Sequence, residues 1–248
     1  MTAIKSFLKT ILFKPLFNAL IFLVWLFPGD SVGLAIITLT IIIRLILLPA
    51  NAKAIKAQKK LKELQPEIDN IREKYKDNQQ EQAKATMEFY QANKINPFGS
   101  CLPVLIQLPI LMILYYVFRS GLNTDRFEEL LYSFTPHPET INTIFLGIDL
   151  SQPSIYLAII AGILQFFQTK QMMPKDDKKK KSDKENPMQS MLSKQMMFMM
   201  PILTIIISLK LPAALPLYWA ITTIFMIIQQ QIILKDKDNK AGVTVTIK

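Results

Sequence analysis

The stretch VGLAIITLTIIIRLILLP at 32–49 decides how this chain is read. It is an apolar run with one cation, Arg44, set inside it. Directly after it, residues 51–96 carry ten Lys and Arg. The same alternation continues outward. Apolar blocks recur at 101–119, 154–172, 196–211 and 213–234, and residues 175–185 (KDDKKKKSDKE) hold ten charges in eleven positions. A soluble domain mixes the two classes at helical or strand spacing, whereas here they separate over tens of residues. The 248-residue chain, half apolar and with a net charge of +10, reads as an all-α membrane protein.

A helix rises about 1.5 Å per residue and must cross roughly 30 Å of hydrocarbon, which takes about 20 apolar residues. The five blocks meet or approach that length, so five transmembrane helices are expected. Several are short enough to require local thinning of the bilayer. Prolines interrupt the second block at Pro103 and Pro109 and the fourth at Pro201, while Pro212 and Pro216 leave room only for a tight turn between the last two. Basic residues set the orientation. Residues 51–96, 170–195 and 235–248 carry ten, eight and four of them, whereas the loop 120–151 carries only Arg126 against five carboxylates. With five spans the three basic segments share one side, which makes that side and the C-terminus cytoplasmic.

The expected organisation is an N-terminal interfacial region at 1–31, span one at 32–50, a cytoplasmic helical hairpin at 51–96 and span two at 97–119. An external loop at 120–153, span three at 154–173, a cytoplasmic basic loop at 174–195, paired spans four and five at 196–234 and a cytoplasmic tail at 235–248 complete it. Within 1–31, Lys14 and Asn18 share a helix face at i, i+4, as in an amphipathic helix lying at the membrane surface. A sixth crossing remains the alternative. In the hairpin, Leu61, Leu64, Ile68, Ile71 and Tyr75 follow helical spacing, Lys76–Gln79 favours a break, and Ala83, Met87 and Tyr90 resume the pattern.

The chemistry is sparse. The single cysteine, Cys101, excludes an internal disulfide, and the single histidine, His137, excludes a multi-histidine metal site. No phosphate-cradling glycine loop, GxSxG elbow or HExxH helix is present. No catalytic residue, metal or cofactor is expected, nor a specific nucleic-acid target. The lysines of the basic loop read mainly as a positive-inside anchor, with attraction to anionic lipid or RNA as the alternative. Polar side chains inside the spans stand out instead. An Arg at a span centre costs roughly 2.5–3.5 kcal/mol on insertion scales, unless it snorkels to the interface. Thr40 lies one turn from Arg44. Gln107 interrupts span two, Gln165, Gln168 and Thr169 form a stripe in span three, and Trp219, Thr222 and Thr223 form one in span five. Each stripe alone suits an interhelical seam. Together with a cation and no Asp or Glu in any span, they fit a shared hydrated cavity that attracts anionic groups from outside the protein.

NPFGSCLPVLIQLPI at 96–110, GLAIITLTIIIRLILLP at 33–49, AGILQFFQTKQMM at 161–173 and LPAALPLYWAITTIFMIIQQ at 211–230 resemble, in the same order, the YidC-type membrane protein insertases with their mitochondrial and chloroplast relatives. The resemblance covers about residues 10 to 234. It implies five transmembrane helices around a hydrophilic groove, an N-terminal interfacial helix and a cytoplasmic hairpin that guides clients. It carries the groove cation onto Arg44 and groove-lining roles onto Thr40, Gln107, Gln168 and Trp219. Ala214, Pro216 and Lys210 depart from the family pattern near the outer turn. The implied function is ATP-independent insertion and folding of newly made membrane proteins. The implied partners are nascent membrane-protein clients, the lipid bilayer, a transient ribosome and a Sec-type channel. The absence of an Arg/Ser-rich transit peptide favours the bacterial plasma membrane. A small-solute transporter with Arg44 as an anion site, and a non-translocating assembly scaffold, are the competing readings. No inverted repeat supports the first.

Overall fold

The computed structural model describes residues 9–93, 107–108, 110–112, 114–116, 130–136, 138, 140–172 and 187–238. Cys101, Pro103, Pro109, His137, the charge run 175–185 and the end of the tail fall outside the described residues.

A π-helical turn, Lys9–Phe13, leads into α1 (Lys14–Leu26), and α2 (Val32–Ile46) follows after a short turn. The Ser31 hydroxyl accepts from Leu34 N–H and caps α2. α2 stops at Ile46, earlier than the sequence suggests, and the chain re-enters helix at once as α3 (Leu48–Glu63), bent 67° from it. Pro49 accounts for the break. It lacks the N–H that a continuous helix would use, yet it suits the first turn of a new one. Pro66 plays the same part at the start of α4 (Gln65–Lys74). A turn at 76–78 ends on Asn78, whose side chain accepts from Glu81 N–H and caps α5 (Gln79–Ala92). α5 packs back on α4, with Gln82 Nε2 donating to Arg72 O at 2.8 Å, and Lys60 of α3 reaches Asn93 O at its far end. Residues 107–116 are helical where described. The segment before α6 holds a two-stranded antiparallel hairpin, β1 (Ile144–Phe145) and β2 (Ile148–Asp149). α6 (Ile155–Met172), α7 (Pro187–Ser208) and α8 (Ala214–Asp238) complete the fold. α7 begins within the stretch read from sequence as basic loop.

Two helices turn their polar side chains inward, beside an apolar core, and leave much of their aliphatic surface exposed. On α2 the buried face is Val32, Ala35, Ile36, Leu39, Thr40 and Arg44, while Ile41, Ile42, Leu45 and Ile46 are exposed. On α8, Tyr218, Thr222, Thr223, Gln229 and Gln230 are buried, while Ile224, Ile228 and Ile232 are exposed. Polar groups inside and branched aliphatics outside are what a bilayer imposes. Among the described residues, Ala214–Ile233 alone is long and apolar enough to cross a membrane, and α2 with the first part of α3 qualifies as one bent pair.

Close approach of backbones, rather than apolar burial, holds helices together in lipid. α6 supplies it with Ala158, Ala161 and Gly162, all buried against α7 or α8. A Cβ on Gly162 would lie 2.4 Å from Ile205 Cγ1 of α7. At the other end of the bundle, a Cβ on Gly33 would meet the Phe145 ring at 2.3 Å, so β1 sits directly on the first turn of α2. Backbone bonds fix that placement. Val32 N–H donates to Asn142 O and Asn142 N–H to Asp30 O, both at 3.1 Å, while Ala213 and Ala214 N–H donate to Gln152 O and Leu150 O.

Asn18 departs from the sequence reading. The amphipathic pattern puts it on a water-facing surface, yet it is buried and its carboxamide is fully used. It donates to Lys14 O at 2.8 Å and Leu130 O at 2.9 Å, and it accepts from Tyr132 N–H and the Thr135 hydroxyl, both at 2.7 Å. These four bonds exhaust an amide side chain's capacity and pin α1 to the segment 130–135.

Candidate polar groove

Arg44 lies in the last turn of α2, where the helix dipole favours a cation. It is only 4% exposed and therefore does not snorkel to the surface. Its Nη2 donates to Gln107 Oε1 at 2.6 Å. Gln107 reaches it because 107, 110 and 114 share one helix face. Ile110 and Leu114 are buried on that face, and Leu108, Met112 and Tyr116 are exposed opposite. Tyr218 of α8 is the electrostatic neighbour from the third side, its hydroxyl also near Thr222 and Gln107 but in hydrogen-bond geometry with none of them.

One turn toward the start of α2, a crevice is lined by Leu16 and Leu20 of α1, Ile36, Leu39, Thr40 and Ile43 of α2, Ile110, Leu114, and Tyr218. Thr40 turns its hydroxyl back to Ile36 O at 2.6 Å, so it presents its methyl to this space. The result is a polar cluster closed by an apolar wall. Around the guanidinium, Gln107 Nε2, Tyr218 Oη and Thr222 Oγ1 are buried with no hydrogen-bond partner among the described residues. Such groups are rare in folded proteins. No described carboxylate pairs with Arg44.

The five residues singled out from sequence divide in two. Arg44 and Gln107 are in direct contact, and Thr40 lines the adjoining crevice. Gln168 sits on the α6–α8 seam, with its Nε2 3.5 Å from Met226 Sδ, and Gln171 Nε2 lies 3.5 Å from Ile227 O one turn on. Trp219 is half-buried on α8, its carbonyl accepting from Thr223 Oγ1 at 2.8 Å. The structure does not bring either of these to the guanidinium. Tyr218 was not singled out from sequence, although its place four residues before Thr222 puts both on one helix face.

A second polar group lies where α2 bends into α3. Gln229 Nε2 donates to Leu48 O at 3.0 Å, and Asn51 Nδ2, Gln229 Oε1 and Gln230 Oε1 are buried there without partners among the described residues. Outside the bundle, the Asp149 carboxyl is held below the usual carboxylate range by bonds from Ser151 N–H and hydroxyl at 2.9 and 2.7 Å.

The family model of the 60Kd inner membrane protein matches residues 24–240. The chain belongs to that family. Curated relatives agree along most of its length. It is 35% identical over 203 residues to the membrane protein insertase YidC of Fusobacterium nucleatum, covering 82% of this chain and 86% of the relative. It is 39% identical over 193 residues to the membrane protein insertase YidC of Clostridium tetani, covering 77% and 76%. It is 36% identical over 218 residues to the membrane protein insertase MisCA of Bacillus subtilis, covering 86% and 73%. The 60Kd inner membrane protein match spans α2, α8 and residue 107, so all three sides of the polar cluster lie within it.

Proposed function

We infer that this chain is a membrane protein insertase, as its relatives are named, and that the cluster of Arg44, Gln107 and Tyr218 is the polar floor of its client groove. The observation that carries the reading is a buried guanidinium whose described hydrogen-bond partner is a neutral amide, set among orphaned polar atoms in an apolar shell. A cation so placed is under-compensated, and a carboxylate from a client supplies what the protein withholds.

The chemistry is physical rather than covalent, and needs no cofactor or ATP. A client's short acidic flank enters from the cytoplasmic side and is drawn toward Arg44, whose attraction is strengthened where little water screens it. Partition of the client's span then drives insertion. About 20 apolar residues at roughly 0.3–0.6 kcal/mol each give several kcal/mol, enough for a small hydrated tail but not a large charged domain. The α4–α5 hairpin is the element that meets clients, including those still on a ribosome or leaving a Sec-type channel. Five spans with a cytoplasmic C-terminus in a bacterial plasma membrane are supported by the charge asymmetry of the loops. α1 is read as lying at the outer interface, as the resemblance to the insertase family implies.

The test is insertion of clients with short acidic flanks into vesicles holding Arg44→Ala or Arg44→Glu protein. Both are expected to slow insertion, Arg44→Glu more strongly. Normal rates for both would remove Arg44 from the mechanism. Crosslinks from a photoreactive residue at 107 to ribosome-bound clients separate an insertase from a scaffold.

A further inference from the structure

We propose that the tip of the outer-loop hairpin, Ile144–Ile148, is a membrane anchor that dips into the headgroup–acyl boundary beside the first turn of α2. The tip sequence is IFLGI, five residues without a polar side chain. Its two turn residues, Leu146 and Gly147, both have positive φ, +51° and +78°. Two-residue turns of this kind favour Asn or Gly at both positions, because other side chains are strained there. Here a leucine holds the first position while 85% exposed, so no packing inside the protein offsets that strain. Ile144, two residues back on the same side of the strand, is 62% exposed. In water a polar residue would serve better at both places.

The depth of the tip is fixed by the bundle. Phe145, on the opposite side of β1, rests on Gly33, and Asn142 is bonded to Asp30 and Val32 at the start of α2. Leu150 and Gln152 accept from Ala214 and Ala213 at the start of α8. The hairpin is therefore level with the first residues of both elements that qualify as spans, rather than projecting into solvent. Ile155 and Tyr156, exposed at the start of α6 just beyond it, are of the types that occupy the same zone. Asp149 faces Ile144 at the base of the hairpin, and its carboxylate is already satisfied by Ser151. This limits entry to the tip. The argument requires only that α2 and α8 enter the bilayer from this end, and it does not rest on the insertase reading.

The experiment places an environment-sensitive fluorophore on Leu146→Cys in a Cys101→Ser background, reconstituted into phosphatidylcholine–phosphatidylglycerol vesicles, with Gln152→Cys as the comparison. At 146, blue-shifted emission is expected, with quenching by a lipid spin-labelled near the top of its acyl chain several-fold stronger than at 152. Iodide in the aqueous phase is expected to quench 146 weakly. Efficient iodide quenching at 146 without lipid quenching would make the tip an ordinary solvent-facing turn. Protection from both quenchers would mean that a protein, or a second copy of this chain, covers it, and either result overturns the proposal. Ile144→Cys provides an independent position expected to follow 146. Client insertion assayed with the unlabelled chain in the same vesicles reports separately on the groove.

Discussion

Gln229 Nε2 and the carbonyl oxygen of Leu48 meet at 3.0 Å across 181 positions of sequence. The bond ties α8 to the bend between α2 and α3, and so fixes where α3 to α5 depart from the bundle. Gln229→Met removes it with little change in volume. The expected loss is about 0.5–1.5 kcal/mol, as for a single neutral hydrogen bond. Thermal unfolding in detergent measures this loss. Spin-label distances between α3 and α8 are expected to broaden in the same variant.

Asn18→Leu has a larger expected effect. It leaves Leu130 O, Tyr132 N–H and the Thr135 hydroxyl without their partner, and each buried orphan costs about 1–3 kcal/mol. α1 is expected to detach before the bundle unfolds, seen as faster hydrogen exchange at 16–26. Asn18→Asp keeps the acceptor but sets a carboxylate oxygen against the Lys14 and Leu130 carbonyls, so at neutral pH it is expected to destabilise at least as much as Asn18→Leu.

Gln107→Leu deprives a buried guanidinium of its partner. A hydrogen bond to a charged group contributes about 1.5–3 kcal/mol, and the variant is expected to lose stability on that scale. Insertion of acidic-flanked clients is expected to persist, since the cation remains. Retained client crosslinking at the groove together with a lowered melting temperature is the outcome to look for.

Gly162→Val and Gly33→Ala probe the two close approaches. Both intruding contacts are with side chains, so some relief by rotation is available. Overpacking costs typically about 1–3 kcal/mol, and Gly162→Val, which adds a branched group between α6 and α7, is expected at the upper end. Exchange at α6 and α7 amides reports the first variant, and exchange at 142–149 the second.

Asp149 gives a pH dependence. Its carboxyl is depressed in the folded chain, so its contribution is fully present above the ordinary Asp value of about 3.9 and is lost as pH falls through the folded value. The site is exposed, so the effect is small. Asp149→Asn is expected to flatten the acid limb of hairpin protection and to leave neutral-pH stability nearly unchanged.

Some local features of this chain were readable because their causes are local. The break at 76–79 was legible in Lys-Asp-Asn-Gln, whose Asn78 caps α5, whereas the break at Leu64 was hidden under a stripe that keeps helical spacing from Leu61 to Tyr75. The span character of 32–49 and 213–234 follows from composition alone. The partners of buried polar groups were not readable. The oxygen of Asn18 is claimed by residues 114 and 117 positions distant, and nothing in helical spacing separates a side chain facing water from one facing a loop yet to come. For the same reason the sequence names Arg44 as costly but not its neighbour Tyr218, and it cannot tell that Gln168 meets Met226 rather than the guanidinium. The early end of α2 was masked because hydropathy runs unbroken through Leu47 and Leu48, while the backbone responds to Pro49.

The angle at Leu47 acts as a lever. α3 has 16 residues and is about 24 Å long, so a change of about 10° at the bend swings its far end by about 4 Å, comparable to the width of a side chain. A small adjustment beside Gln229 is thus magnified at α4 and α5. The paired helices are mechanically coupled to the polar residues at the joint, and the position of their tip is set by the geometry at Leu47 and Gln229.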